Sequence, residues 1–133
     1  MHRFLAIFER LVKEEGEVLN LVIVDFPNGS KDAHEASFNQ LKSDLYALEK
    51  QLPNVRVELI KEEGEFSRGK GLQIGGLSQG PDELLFFCDI DMVFDAATMK
   101  RIRHETIKVN AQRNLRSIGL TKFFVIFVKF FFV

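Results

Sequence analysis

Three apolar runs, each separated from the next by a stretch with helical spacing, constrain this chain more than any other feature. "LNLVIVDF", residues 19–26, is apolar almost without a break and is followed by the turn sequence "PNGS", which predicts a strand covered on both faces. In "VRVELI", 55–60, Val55, Val57 and Leu59 alternate with Arg56 and Glu58, the pattern of a strand with one face less buried. "LLFFC", 84–88, carries no polar residue and reads as a central parallel strand.

The intervening segments read as helices. Phe4, Phe8, Leu11 and Val12 recur at helical spacing over residues 3–14. Phe38, Leu41, Leu45, Leu48 and Leu52 mark one face of a longer helix, with Asp32 and Glu35 placed as its capping pair and Pro53-Asn54 as its stop. Residues 68–79 form a short helix after the turn "EFSRG", and Asp95 caps a last one reaching about His104. Helix alternating with strand implies an α/β layer with a mostly parallel sheet flanked by helices and joined by right-handed crossovers. Ligands of such sheets collect beyond the carboxyl ends of the strands.

With 133 residues the chain has room for one ordinary domain or part of a larger one. Its 18 Lys+Arg against 19 Asp+Glu leave a net charge of -1, so the molecule has no bulk attraction to nucleic acid, and phosphate recognition has to be local. Cys88 is the single cysteine, which excludes an internal disulfide and a multi-cysteine zinc site; in the strand it reads as a small buried hydrophobe. His2, His34 and His104 lack ligand spacing and read as surface residues. Asn28-Gly29-Ser30 fits the N-glycosylation pattern and is equally a common turn sequence. The most apolar run, "FFVIFVKFFFV", is interrupted by Lys129 and falls short of the ~20 residues of a membrane span.

Two segments carry candidate chemistry. Asp89 and Asp91 in "CDIDMVF" are spaced by one residue at a strand end. There either one ligates Mg2+ or Mn2+, which would neutralise a departing diphosphate, while the other fixes a neighbouring hydroxyl, or both are solvated acids. "GKGLQIG" has glycines at 69, 71 and 75. Ile74 stands where G-x-G-x-x-G needs its third glycine, and Gly71 follows Lys70 where a P-loop needs Ser or Thr. The segment is therefore either a tight turn with close helix packing, or a nucleotide contact in which Phe66 offers a stacking face and Arg68 a hydrogen-bond donor.

Taken together, "GEFSRGKGLQIGG" and "LLFFCDIDMVF" resemble the chondroitin synthase and chondroitin N-acetylgalactosaminyltransferase family over residues 3–108, most strongly from Gly64 to Phe94. The resemblance implies a GT-A fold, incomplete here, with residues 1–108 as the donor-binding half and 109–133 as a divergent basic, Phe-rich tail. It implies a hexosyltransferase that passes N-acetylgalactosamine, or glucuronic acid, from a UDP-sugar to a chondroitin or other glycosaminoglycan acceptor with Mn2+ or another divalent cation. Carried over residue by residue, Phe66 and Arg68 match nucleotide-contacting positions. Asp89 matches the acid near ribose and sugar, Ile90 a backbone contact, and Asp91 the metal ligand. The family works in the Golgi lumen from a membrane anchor that these residues do not contain.

The chain departs from the family at both ends. The family's strand ahead of the first helix is not in this sequence, nor are its G-G-F-D segment, its G-W-G-x-E-D segment with the catalytic acid, or its later histidine ligand, so the acceptor-side base is left unassigned. The expectation is half of a catalytic domain, truncated and weak or inactive; the alternative is a non-catalytic partner that stabilises a full-length synthase. Between Lys100 and Val133 stand eight Lys or Arg and one acid, Glu105. That tail has no secure place in the sheet, is expected to be buried or aggregation-prone, and its deletion from 122 to 133 is expected to improve solubility; a terminal strand is the other reading.

Overall fold

The computed structural model describes residues 2–15, 19–27, 29–80, 83–90, 92–111 and 123–129, with 2, 15, 103, 106–111 and 123–129 described in backbone only. Along the chain run α1 (His2–Glu15), β1 (Leu19–Asp25), α2 (Lys31–Gln51), β2 (Arg56–Lys61), α3 (Arg68–Leu77), β3 (Leu84–Cys88), α4 (Ala96–Ala111) and β4 (Phe123–Lys129). The strands form one sheet in the order β2-β1-β4-β3, and every pair is parallel. The parallel α/β layer expected from the alternation of elements is therefore the fold.

β1 is buried on both faces because the pleat sends alternate residues into two different cores. Leu19, Leu21 and Ile23 join Phe4, Phe8 and Leu11 of α1, Leu41, Leu45 and Leu48 of α2 and Met99 of α4. Val24, and Phe26 just beyond the strand, join Ile60, Leu72 and Ile74 on the face that α3 covers. At ~1.5–3 kcal/mol for each large apolar side chain taken out of water, this two-sided burial is the main force holding the layer together. Asn20, 1% exposed on the same strand, has neither its Oδ1 nor its Nδ2 paired among the described residues.

Crossing from β1 to β2 and from β3 to β4 moves the same way across the sheet, with α2 and α4 on one face. Crossing from β2 to β3 moves the other way, with α3 on the opposite face. All three connections thus share one hand, as twisted parallel sheets require.

Three expectations need correction. "LLFFC" is not central: β3 is the edge of the described sheet, Phe87 is exposed, and the position between β1 and β3 belongs to β4 in the Phe-rich tail. Continuous apolar sequence reports burial and says nothing of strand order. The cap of α2 is Ser30, whose hydroxyl accepts from the Ala33 amide, and Glu35 instead pairs with Lys61. The helix after Asp95 runs on to Ala111, while its start is as expected, with the Asp95 carboxylate accepting from the Thr98 amide at 2.8 Å.

Candidate functional site

Because all four strands are parallel, their carboxyl ends share one edge of the sheet. That edge gathers Asp25 and Phe26 at the end of β1, Lys61 and Glu62 at the end of β2, and Asp89 and Ile90 just after β3. The loop between β2 and α3 folds back over it. Glu62 continues the ladder by donating its amide to the Asp25 carbonyl at 2.9 Å, and its carboxylate accepts from Lys70 Nζ at 2.8 Å. That bond holds the Glu62 carboxyl below its ordinary value. Ser67 caps α3, its hydroxyl accepting from the Lys70 amide at 3.3 Å. The anchored loop and cap fix where Phe66 and Arg68 stand.

Phe66 packs edge-on against Phe26, with ring centroids 5.4 Å apart at 78°, and stays 37% exposed, so part of the ring faces solvent. Arg68 Nη2 donates to Asp89 Oδ2 at 3.1 Å, joining residues 21 positions apart in sequence from the two motifs singled out above. Ile90 is half-buried and packs against the main core, and the Met92 amide donates to the Asp89 carbonyl at 3.1 Å. Asp91 itself lies outside the described residues, as does Asn28 of the glycosylation pattern. Among the described residues no three His, Cys, Asp or Glu side chains form a metal-sized group. The half-exposed Asp89 carboxylate is nonetheless the hard oxygen donor that Mn2+ or Mg2+ prefers.

A buried pair escaped the sequence reading. His34 Nε2 and Asp25 Oδ2 are hydrogen-bonded at 2.9 Å with side chains 6% and 0% exposed, so His34 is not a surface residue. The signal was present. Positions 34, 38, 41, 45, 48 and 52 continue one helical stripe, and His34 opens it one turn before Phe38. His104 is exposed and Cys88 buried, as expected, while the side chain of His2 lies outside the described residues. Beside the buried pair, Lys61 reaches the Glu35 carboxylate and lies 5.2 Å from the Phe38 ring. The contact with Lys61 lowers the pKa of Glu35.

A doubly wound parallel layer with an aromatic ring, an arginine and a strand-end aspartate at its carboxyl edge has the design of an α/β ligand-binding domain. The chain belongs to the chondroitin N-acetylgalactosaminyltransferase family, whose pattern it matches over residues 1–111. It is 32% identical over 106 residues to chondroitin sulfate synthase 3 of Mus musculus, covering 80% of this chain and 12% of that protein. It is 31% identical over 105 residues to chondroitin sulfate N-acetylgalactosaminyltransferase 1 of Homo sapiens, covering 78% of this chain and 18% of that one. The chain thus spans under a fifth of the length of these relatives, and no solved structure matches it. Its family is one of chondroitin-synthesising glycosyltransferases.

Proposed function

We propose that this chain is the donor-binding part of a GT-A hexosyltransferase that takes N-acetylgalactosamine, or glucuronic acid, from a UDP-sugar for transfer to a chondroitin chain in the Golgi lumen. The reading rests chiefly on the bond between Arg68 and Asp89, which puts both donor motifs at one point of the sheet edge. Residues 1–108 are the donor-binding half, and 109–133 are a divergent addition that enters the same sheet through β4.

In this reading the exposed part of the Phe66 ring takes the uracil, with Phe26 behind it keeping the ring from turning away. Arg68 stands in the first turn of α3, where the helix dipole adds positive potential, and contacts the diphosphate. Asp89 faces the ribose and sugar, and Arg68 holds its carboxylate in place. Ile90, anchored in the core, sets the turn and offers its backbone. Asp91 would hold the divalent cation, which would supply charge that stabilises the leaving diphosphate. The base that takes the acceptor's proton is left unassigned.

The test is UDP binding to the full chain by calorimetry. Binding should be tighter with Mn2+ than with EDTA, and Asp91→Asn should abolish the difference. Wild-type binding that is equal with and without metal refutes the metal role of Asp91, and an absence of UDP binding refutes the whole reading.

One observation favours a second reading, a non-catalytic partner of a full-length synthase. β3 is an edge strand of the described sheet with Phe87 46% exposed, a surface on which another chain can add a strand. Co-purification with a full-length synthase, lost on Phe87→Lys, would favour it over catalysis.

A further inference from the structure

We infer that the buried pair of Asp25 and His34 positions the uridine platform, acting from the opposite face of the sheet through Phe26. The inference rests on the donor-binding reading above, to which it adds two positioning residues that do not touch the nucleotide. Three contacts meet at the end of β1. The Asp25 side chain turns to the α2 side, where its Oδ2 lies 2.9 Å from His34 Nε2. Its carbonyl accepts from the Glu62 amide at 2.9 Å, which tethers the loop that carries Phe66. Phe26, the next residue, turns to the α3 side and seats the Phe66 ring edge-on, with centroids 5.4 Å apart.

Consecutive residues of an extended chain point to opposite faces, so fixing the Asp25 side chain on one face fixes the direction of Phe26 on the other. The register with β2 ends at Asp25 and Lys61, which leaves Phe26 just past the last paired residue and dependent on such an anchor. His34 is itself held. Its amide donates to the Ser30 carbonyl at 3.0 Å in the first turn of α2, and the Phe38 ring lies beside it with centroids 6.3 Å apart. Stability gives a poor reason for the pair. Its side chains are 6% and 0% exposed, and apolar residues of similar volume often hold a fold as well as a buried polar or ionic pair does. What two apolar residues could not supply is a directed bond at the root of the platform.

The experiment measures the Kd of uridine, UDP and inorganic pyrophosphate for the full chain, at a temperature where thermal melts show the variants folded. Wild type is compared with a double variant, Asp25→Leu with His34→Leu, in which both partners become apolar, with Phe66→Ala, and with the triple combination. His34→Gln, whose amide nitrogen can stand near Nε2, is the conservative control. The double variant is expected to bind uridine and UDP about tenfold more weakly, within the range of a lost base–aromatic stack, with pyrophosphate unchanged. His34→Gln should keep most of the affinity. Phe66→Ala should cost as much as the double variant, and the triple variant no more than either, because the pair acts through the ring that it positions. Wild-type uridine affinity in the double variant overturns the inference, since the pair would then serve the fold alone. Additive losses in the triple variant, or a loss that extends to pyrophosphate, also overturn it. If the double variant does not fold, His34→Gln against His34→Leu carries the same test, and equal uridine affinity in the two overturns the inference. Wild-type protein that binds no UDP removes the donor-binding reading itself, and the inference with it.

Discussion

Arg68 reaches Asp89 across the carboxyl edge of the sheet, Nη2 to Oδ2 at 3.1 Å, with the two side chains 63% and 47% exposed. At that exposure an ion pair contributes about 0–1 kcal/mol to folding, less in salt. Stability therefore gives little reason for the pair, whereas a ligand site gives a good one, since each group holds the other in a fixed position.

Arg68→Ala should accordingly leave the melting temperature close to wild type and weaken UDP binding in Mn2+ about tenfold, the loss expected for a charged hydrogen bond to phosphate. Calorimetry beside a thermal melt separates the two. Unchanged affinity would leave Arg68 a surface residue.

The buried pair at the end of β1, by contrast, also bears on stability. His34→Leu takes from Asp25 Oδ2 a buried hydrogen bond of 2.9 Å, and removing one partner of a buried polar pair costs ~1–3 kcal/mol. Urea unfolding should show that loss. A midpoint equal to wild type would mean that the end of β1 reorganises freely.

Asn20 offers a gain. Both of its side-chain polar atoms are buried without partners among the described residues, in a strand whose other residues up to Asp25 are Leu, Val and Ile. Asn20→Leu, close in size, should raise stability by ~1 kcal/mol or more by removing that desolvation cost. A destabilised variant would imply a polar partner for Asn20.

The sign of the pH dependence follows from Glu62, whose carboxyl is held below its ordinary 4.5 first by the hydrogen bond from Lys70. A carboxyl depressed in the folded state adds stability above its unfolded pKa and loses it as pH falls through the folded one. The advantage of wild type over Glu62→Gln in urea midpoint should therefore be level at neutral pH and shrink below pH 4.5. An advantage that grows with acid would contradict the pairing.

Much of this arrangement could be read from the residues, because helix and strand periods record which faces are covered. The stripe from Phe38 to Leu52 and the two-sided run at 19–26 reported burial directly, while the donor-site reading came from the resemblance of "GEFSRGKGLQIGG" and "LLFFCDIDMVF" to the family. Strand order did not show, since "LLFFC" at the edge and "FFVIFVK" inside the sheet look alike by composition. Nor did the true cap of α2, where Ser30, Asp32 and Glu35 all suit a helix start and only the turn at Gly29, with φ 76°, selects Ser30. His34 was missed because an isolated histidine is usually a surface residue, although its place on the helical stripe pointed inward.

The tail gives the sharpest reversal. Its apolar content suggested that deleting residues 122–133 would improve solubility, yet β4 pairs with both β1 and β3 and is the strand partner of β3 among the described residues. Deletion should open the middle of the sheet, detach the strand that carries Asp89 and expose two unpaired edges, which favours aggregation. We expect the shortened chain to be insoluble or to melt without a cooperative transition. Val125→Pro tests the same point with one residue, since a proline in a central strand removes a ladder donor and leaves a buried acceptor unpaired, at a cost of ~1–3 kcal/mol. If the deletion protein stays soluble and unfolds cooperatively while Val125→Pro matches wild type, β4 contributes nothing to the layer.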